Sequence, residues 1–181
     1  MKTIISNITN HKDFLKGKWT LEIGYPWLSL GAIIALEGIV NKRFRILEVG
    51  CGGSTIFWAK NCKNVKSFET NADWFQKVER KVRRYRNVEL GLANEKQILR
   101  AVTKEPDRHY DIVLINPNPK EARRTLLADV AIPKVKPGGW LVINNYGKFG
   151  MENYNYPKSE IYTFDDLRYS GRGTKLCKIL A

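Results

Sequence analysis

Short apolar runs alternate with segments of helical spacing along the chain, and this alternation constrains the fold more than any other feature. The clearest runs are FRILEV (44–49), VKSFE (65–69), YDIVLI (110–115) and WLVINN (140–145), with a weaker run, VEL, at 88–90. Continuous apolar runs of this length are typical of strands buried on both faces. Strands that alternate with helices indicate a doubly wound α/β sheet that is mostly parallel.

The ends of the chain complete this prediction. TKLCKIL (174–180) alternates after the turn SGRG and predicts an antiparallel edge strand, whereas residues 1–24 predict an arm or a short helix. Ser29 and Asn71 stand where helix N-caps are expected. We expect residues 1–181 to form one domain, because the chain has the length of one domain and shows neither repeats nor linkers.

Composition limits the partners but does not name a reaction. The net charge is +13, which favours polyanionic partners such as nucleic acid, or simply solubility. No apolar run is long enough for a membrane helix, and the N-terminus predicts no signal peptide. Cys51, Cys62 and Cys177 show neither metal spacing nor a disulfide framework, which predicts a cytoplasmic protein.

The first strand-to-helix turn, EVGCGGST, is the strongest candidate binding element. Gly50 and Gly52 would let a ligand approach the backbone, and Glu69 ends the next strand about 20 residues later, where an acid binds ribose hydroxyls. A dinucleotide-dependent oxidoreductase is one interpretation. Thr55 stands against it, because the dinucleotide motif requires glycine there.

Glu48 is the second argument against a dinucleotide. A carboxylate two residues before Gly50 would repel a pyrophosphate, but it would attract a ligand that carries an ammonium and a sulfonium group. S-adenosylmethionine is such a ligand.

The motifs ILEVGCGGST, VKSFETNADWFQKV, YDIVLINP and VKPGGWLVINN resemble, in this order and spacing, those of class I S-adenosylmethionine-dependent methyltransferases. The chain is most similar to a group of short, poorly characterised members with a Rossmann-like fold. The resemblance spans roughly residues 25–180. It implies that Glu48, Gly50 and Gly52 surround the methionine moiety, that Glu69 binds the ribose, and that Leu92 and Ala93 lie near the adenine. The candidate cofactor-binding residues are Glu48, Gly50, Cys51, Gly52, Ser54, Thr55, Glu69, Leu92, Ala93 and Asn116.

INPNPK (115–120), after the fourth strand, leaves three interpretations open. In metal-dependent O-methyltransferases, acids at these strand ends hold a cation, but this chain has Asn116, Asn144 and Asn145, and neutral amides bind a hard cation weakly. We therefore predict no metal site.

The second interpretation is the Asn-Pro-Pro-aromatic motif of amino-methyltransferases. Asn116-Pro117 fits its first half, whereas Asn118-Pro119 departs from the second half and supplies no stacking ring. The third is a plain strand exit, since proline suits a loop that leaves a strand. Asn116 is accordingly the one candidate catalytic residue.

Two other segments bear on the acceptor. Residues 146–158 interleave Tyr146, Phe149, Tyr154 and Tyr156 with lysines, which predicts either a surface that stacks on bases or a cover for the sheet edge. RKVRRYR (80–86) predicts a solvated helix face, whereas Arg123 and Arg124 are expected closer to the cleft.

The prediction is thus a methyltransferase that uses S-adenosyl-L-methionine on a small-molecule or nucleic-acid acceptor. The alternatives are a nucleic-acid-binding module with this fold and no turnover and, less favoured, an NAD-dependent oxidoreductase.

Overall fold

The computed structural model describes residues 11–117, 124–166 and 173–181. Within these ranges the strands form one seven-stranded sheet with the order β3-β2-β1-β4-β5-β7-β6. The strands are β1 (Arg45–Val49), β2 (Asn64–Glu69), β3 (Val88–Leu92), β4 (Tyr110–Ile115), β5 (Val135–Asn144), β6 (Ser159–Asp165) and β7 (Gly173–Ile179).

Helices connect the strands. They are α1 (Thr20–Ile23), α2 (Leu30–Ile39), α3 (Gly53–Asn61), α4 (Ala72–Val82), α5 (Glu95–Lys104) and α6 (Arg124–Ala131), followed by a 3-10 turn, Ile132–Lys134. Residues 11–15 are also helical. In the described part of the chain no helix combines the length and the apolar character needed to cross a bilayer.

The pairing of the strands confirms the predicted architecture. Strands β1 to β5 pair in parallel, whereas β7 runs antiparallel to both β5 and β6. The order reverses at β1, which lies between β2 and β4, so the switch point falls where β1 meets β4.

The sequence did not predict β6, and it placed β5 at residues 140–145 only. Most side chains of β6 are at least partly exposed, so the strand lacks an apolar run that would have marked it. β5 begins at Val135 and includes Gly138, which has φ +77°, and its register against β4 shifts after Tyr110. A bulge of this kind has the same glycine signature as a turn.

Alternation along β1 decides what lies on each face of the sheet. Leu47 and Val49 belong to the core on one face, while Ile46 belongs to the core on the other, which includes Trp58 of α3. Glu48 shares the face of Ile46 because side chains two apart point the same way. A carboxylate is thus directed into an apolar layer, beneath α3.

The two predicted caps differ. The Asn71 side chain accepts a hydrogen bond from the Trp74 amide at 2.8 Å and caps α4, whereas Ser29 stands at the N-cap of α2 without a capping bond from its side chain. Asn118, Pro119, Arg123 and most of the predicted turn before β7 lie outside the described residues.

Candidate functional site

A cavity of about 660 Å³ opens at the carboxyl ends of the strands, across the switch point. Such a volume is in the range of small-molecule sites. Its lining comes from the segment before α2, the glycine loop, α4 and the ends of β2, β4 and β5: Gly17, Trp19, Thr20, Trp27, Gly50, Cys51, Gly52, Gly53, Ser54, Glu69, Asn71, Trp74, Asn116, Pro117, Arg124 and Asn145. The cavity therefore brings together six of the ten predicted cofactor residues.

Gly50 fits tightly against the end of β4. Its φ is +95°, and a Cβ added there would collide with the carbonyl of Asn116 and lie 2.9 Å from Cα of Pro117. Its amide donates to the Phe68 carbonyl at 2.8 Å, and the Asn116 amide donates to the Val49 carbonyl at 2.8 Å. The chain itself therefore requires glycine at position 50.

The fold requires glycine at position 53 but not at position 52. A Cβ at Gly53 would collide with the carbonyls of Thr20 and Tyr25. Only glycine at the start of α3 therefore leaves room for the segment that contains these two residues. Gly52 is extended, with φ 174°, and a Cβ there would make an ordinary 3.7 Å contact with Trp74. The fold needs no glycine at position 52, which leaves close approach of a ligand as the physical reason for one.

Glu48 lies under the glycine loop rather than in the cavity wall. It is fully buried, and its carboxylate accepts hydrogen bonds from the hydroxyls of Thr55 at 2.6 Å and Ser67 at 2.7 Å and from the indole of Trp58 at 3.2 Å. Burial raises the pKa of Glu48, and these donors oppose the rise.

Thr55 connects Glu48 to the glycine loop through two hydrogen bonds. Its hydroxyl accepts a hydrogen bond from the Gly52 amide at 2.9 Å while it donates to Glu48. The threonine that breaks the dinucleotide motif is thus the link between a buried acid and the loop. Thr55 is fully buried, whereas its neighbour Ser54 lines the cavity.

Glu69 stands at the end of β2 with its position fixed by the backbone. Its Oε1 accepts from the amides of Thr70 at 2.8 Å and Asn71 at 2.9 Å, and the side chain lines the cavity. Beside it, burial, followed by the charges of Glu69 and Glu48, raises the pKa of Cys51 far above its usual range. The cavity therefore presents an acid next to a neutral thiol, which is a poor nucleophile.

Three tryptophans that the sequence analysis did not assign to the site surround its mouth. Trp19 is 62% exposed and Trp27 is 54% exposed, and the ring of Trp19 lies 6.0 Å from that of Trp74. The Trp74 indole donates to the Cys51 carbonyl at 2.7 Å. In the sequence Trp74 has the spacing of an ordinary apolar helix residue, and nothing in the spacing of Trp19 and Trp27 marks them.

The predicted catalytic residue belongs to an amide network. Asn116 lines the cavity, and its Oδ1 accepts from Nδ2 of Asn144 at 3.2 Å. Nδ2 of Asn144 also donates to the Trp27 carbonyl at 3.0 Å, and its Oδ1 accepts from the Thr174 hydroxyl at 3.1 Å. Asn144 is fully buried, whereas Asn145 lines the cavity.

Arg124 joins the ends of β4 and β5. Its guanidinium donates to the carbonyls of Pro117, at 2.9 Å, and of Asn144, and lies 4.6 Å from the ring of Phe149. Arg124 is 1% exposed, and burial lowers its pKa to about 10. It therefore fixes the two strand ends that carry Asn116 and Asn145.

Leu92 and Ala93 lie beside the cavity and not in its lining. Leu92 is exposed at the end of β3, and the Ala93 amide donates to the Glu69 carbonyl at 3.0 Å. The predicted contact of these two residues with an adenine stays a prediction.

The aromatic residues of 146–158 pack inward, which favours the covering interpretation over the stacking one. Tyr146 is buried and donates to Asp165, and Tyr154 donates to Asp129 at 2.7 Å. The ammonium of Lys175 lies over the rings of Tyr146, at 4.6 Å, and Tyr156, at 4.9 Å. These rings thus pack against one face of the sheet, with side chains of β5 and β7.

Several solved structures with this architecture are methyltransferases. An rRNA methylase from Streptococcus thermophilus is 18% identical, with 83% of this chain and 96% of that chain aligned and a TM-score of 0.60. A Streptococcus mutans protein assigned as a methyltransferase, solved with SAH (S-adenosylhomocysteine), is 19% identical over 81% and 97% of the chains, with a TM-score of 0.59. A methyltransferase from Geobacter sulfurreducens is 12% identical over 97% and 88%, with a TM-score of 0.64.

No family model and no curated protein matches the sequence. At these identities the similarity concerns the fold, and the chain has the class I methyltransferase fold that the sequence motifs predicted.

Proposed function

We propose that the protein is an S-adenosylmethionine-dependent methyltransferase. The observation that carries the proposal is that Glu69 and Gly52 line the same cavity. An acid fixed at the end of β2 suits the hydroxyls of a ribose. A glycine that the fold does not require leaves room for a ligand against the backbone.

The residues present fit this cofactor. Glu69 would bind the ribose, and the backbone of Gly50, Cys51 and Gly52, with Ser54, would surround the amino-acid portion. When bound, the cofactor supplies an electrophilic methyl group on a sulfonium. Glu48 acts through Thr55 and the loop and not by contact, because its carboxylate is fully buried.

The work of the chain in methyl transfer is mainly positional. An in-line displacement requires that the acceptor atom be aligned with the methyl carbon and shielded from water. Asn116 lies at the cavity wall with its amide orientation set by Asn144, so it can orient an acceptor through a hydrogen bond. Arg124 holds the two strand ends on which this geometry depends.

Calorimetry with S-adenosylhomocysteine tests the proposal. We expect one molecule to bind per chain and Glu69→Ala to weaken binding. Absence of binding, together with tight binding of a nicotinamide dinucleotide, would favour the oxidoreductase instead.

The acceptor is the next question. One of the structural neighbours is an rRNA methylase, and RNA is therefore one candidate class for this chain. Incubation with radiolabelled cofactor and fractionated RNA, DNA, protein and metabolites would identify the fraction that receives the label.

A further inference from the structure

A second depression lies next to the cavity and is lined mostly by cations. It has a volume of about 410 Å³ and is formed by parts of α1, α3 and α4, by the residue after α1 and by the two residues after α4. Its lining residues are Leu21, Glu22, Gly24, Ile56, Lys60, Arg80, Lys81, Arg83 and Arg84. We call this surface the basic groove.

The cations of the basic groove have no acidic partner among the described residues. Lys60, Arg80, Lys81, Arg83 and Arg84 are exposed, and none of them takes part in an ion pair in that part of the chain. Glu22 is the one acid in the described lining. As the sequence predicted, this helix face is solvated, and together with α1 and α3 it lines a concave surface.

The basic groove and the cavity share the same three helices. Thr20 of α1, Gly53 and Ser54 of α3 and Trp74 of α4 line the cavity, whereas later residues of each helix line the groove. At 1.5 Å per residue, Arg80 lies about 9 Å along α4 from Trp74. A ligand of modest length can therefore occupy both at once.

Exposed aromatic rings lie at the cavity, next to the basic groove. Trp19 directly precedes α1, and its ring is tilted by 46° against that of Trp74. Trp27 is exposed at the same mouth. Exposed aromatic rings next to a row of cations are the combination by which proteins bind single-stranded nucleic acid, stacking bases and contacting phosphates.

We infer that the basic groove binds the phosphate backbone of a single-stranded nucleic acid while an adjacent base stacks on Trp19 at the mouth of the cavity. A base held in a duplex cannot reach such a cavity, so the ligand is an unpaired segment. This inference deepens the proposed function, since it names the class of acceptor, and it rests on that function for the transfer step.

Fluorescence anisotropy with labelled single-stranded RNA of about 12 nucleotides tests the inference. DNA of the same sequence, measured in parallel, shows which of the two nucleic acids the protein binds. We expect binding that weakens with salt. The triple variant Arg80→Gln, Arg83→Gln, Arg84→Gln should bind more than about tenfold more weakly, and its slope of log K against log salt should fall by about 2.

The matched control removes the same charge elsewhere. Lys96, Arg100 and Lys104 are exposed on α5, outside the groove and the cavity. The variant Lys96→Gln, Arg100→Gln, Lys104→Gln should change RNA affinity by less than about threefold, because the remaining effect is long-range and screened. Equal losses in both triple variants would show binding to the overall charge and overturn the inference.

Trp19→Ala tests the stacking half and should weaken binding about tenfold. Preference for duplex, or no binding of either single strand at physiological salt, would overturn the inference. S-adenosylhomocysteine binding, measured on every variant, separates the two proposals: cofactor binding without binding of single-stranded RNA or DNA defeats only the inference, and the reverse defeats only the proposed function. Binding of both ligands with no transfer to RNA would support the groove but identify a binding module.

Discussion

The indole Nε1 of Trp74 donates a hydrogen bond to the carbonyl oxygen of Cys51 at 2.7 Å, which attaches the first turn of α4 to the glycine loop. We expect Trp74→Phe to keep much of the packing but lose this bond. A single hydrogen bond is worth about 1 kcal/mol, so S-adenosylhomocysteine affinity should fall roughly fivefold in calorimetry. Trp140→Phe, on β5 and away from the cavity, is the control and should leave the affinity unchanged.

Replacing Glu69 with glutamine tests the contribution of its charge while its shape is kept. Glu69→Gln keeps an oxygen for the amides of Thr70 and Asn71 but removes the negative charge that faces the cavity. We expect binding of S-adenosylhomocysteine to weaken about tenfold, since hydrogen bonds to charged groups are worth about 1.5–3 kcal/mol. Glu79→Gln removes an equal charge from the exposed side of α4 and should have no such effect. An equal loss in both variants would contradict a specific contact.

Alanine at the two loop glycines should separate folding from binding. Gly50→Ala forces a Cβ against the Asn116 carbonyl at positive φ, and we expect the free energy of unfolding to fall by at least about 2 kcal/mol. Gly52→Ala should unfold at nearly the same temperature as the unchanged protein yet bind S-adenosylhomocysteine more weakly. Thermal unfolding and calorimetry on both variants check this, and unchanged binding by Gly52→Ala would remove the main support for the ligand.

Glu48 should make stability depend on pH in an unusual direction. Because burial raises its pKa in the folded state above the ordinary value of 4.5, its contribution is complete below about pH 4.5 and is lost as pH rises through the raised pKa. Urea unfolding at a series of pH values should show the unchanged protein losing stability relative to Glu48→Gln, by at most about 1.4 kcal/mol per pH unit. A difference that grew in favour of glutamate above pH 4.5 would contradict this assignment.

The strand ends should not hold Mg²⁺. Both amide atoms of Asn144 are engaged, with Trp27, Asn116 and Thr174, and the neutral amides of Asn116 and Asn145 are weak ligands for a hard cation. Millimolar Mg²⁺ should leave the unfolding temperature unchanged, and methyl transfer, once an acceptor is identified, should persist in EDTA. A ligand at 100 times its Kd would instead add about 2.7 kcal/mol of stability.

The sequence predicted the elements whose own residues carry the signal. Leu47, Val113 and Leu141 lie in continuous apolar runs, and those runs are β1, β4 and β5. Glu69 was predicted from its distance to the glycine loop, and the structure places both in one cavity. Such predictions succeed because strand burial and loop chemistry are local properties.

Residues whose role depends on distant parts of the chain were beyond sequence reasoning. Trp19 belongs to the site only because Gly53 lets its segment pass over α3, and Arg80 faces a groove only because α1 lies opposite. Glu48 was expected to contact a ligand, but the pleat of β1 turns it beneath the loop. For Trp19 and Arg80 the deciding neighbour is far away in sequence, whereas Glu48 is turned beneath the loop by its own strand.

The contact between Gly50 and the Asn116 carbonyl has an evolutionary consequence. The floor of the cavity is shared by the loop after β1 and the end of β4, with no space for even one added carbon atom between them. Substitutions that reshape one side must disturb the other, so the floor resists change during divergence. New acceptors are most readily acquired at the rim, where exposed Trp19 and Trp27 can be exchanged without moving the backbone beneath them.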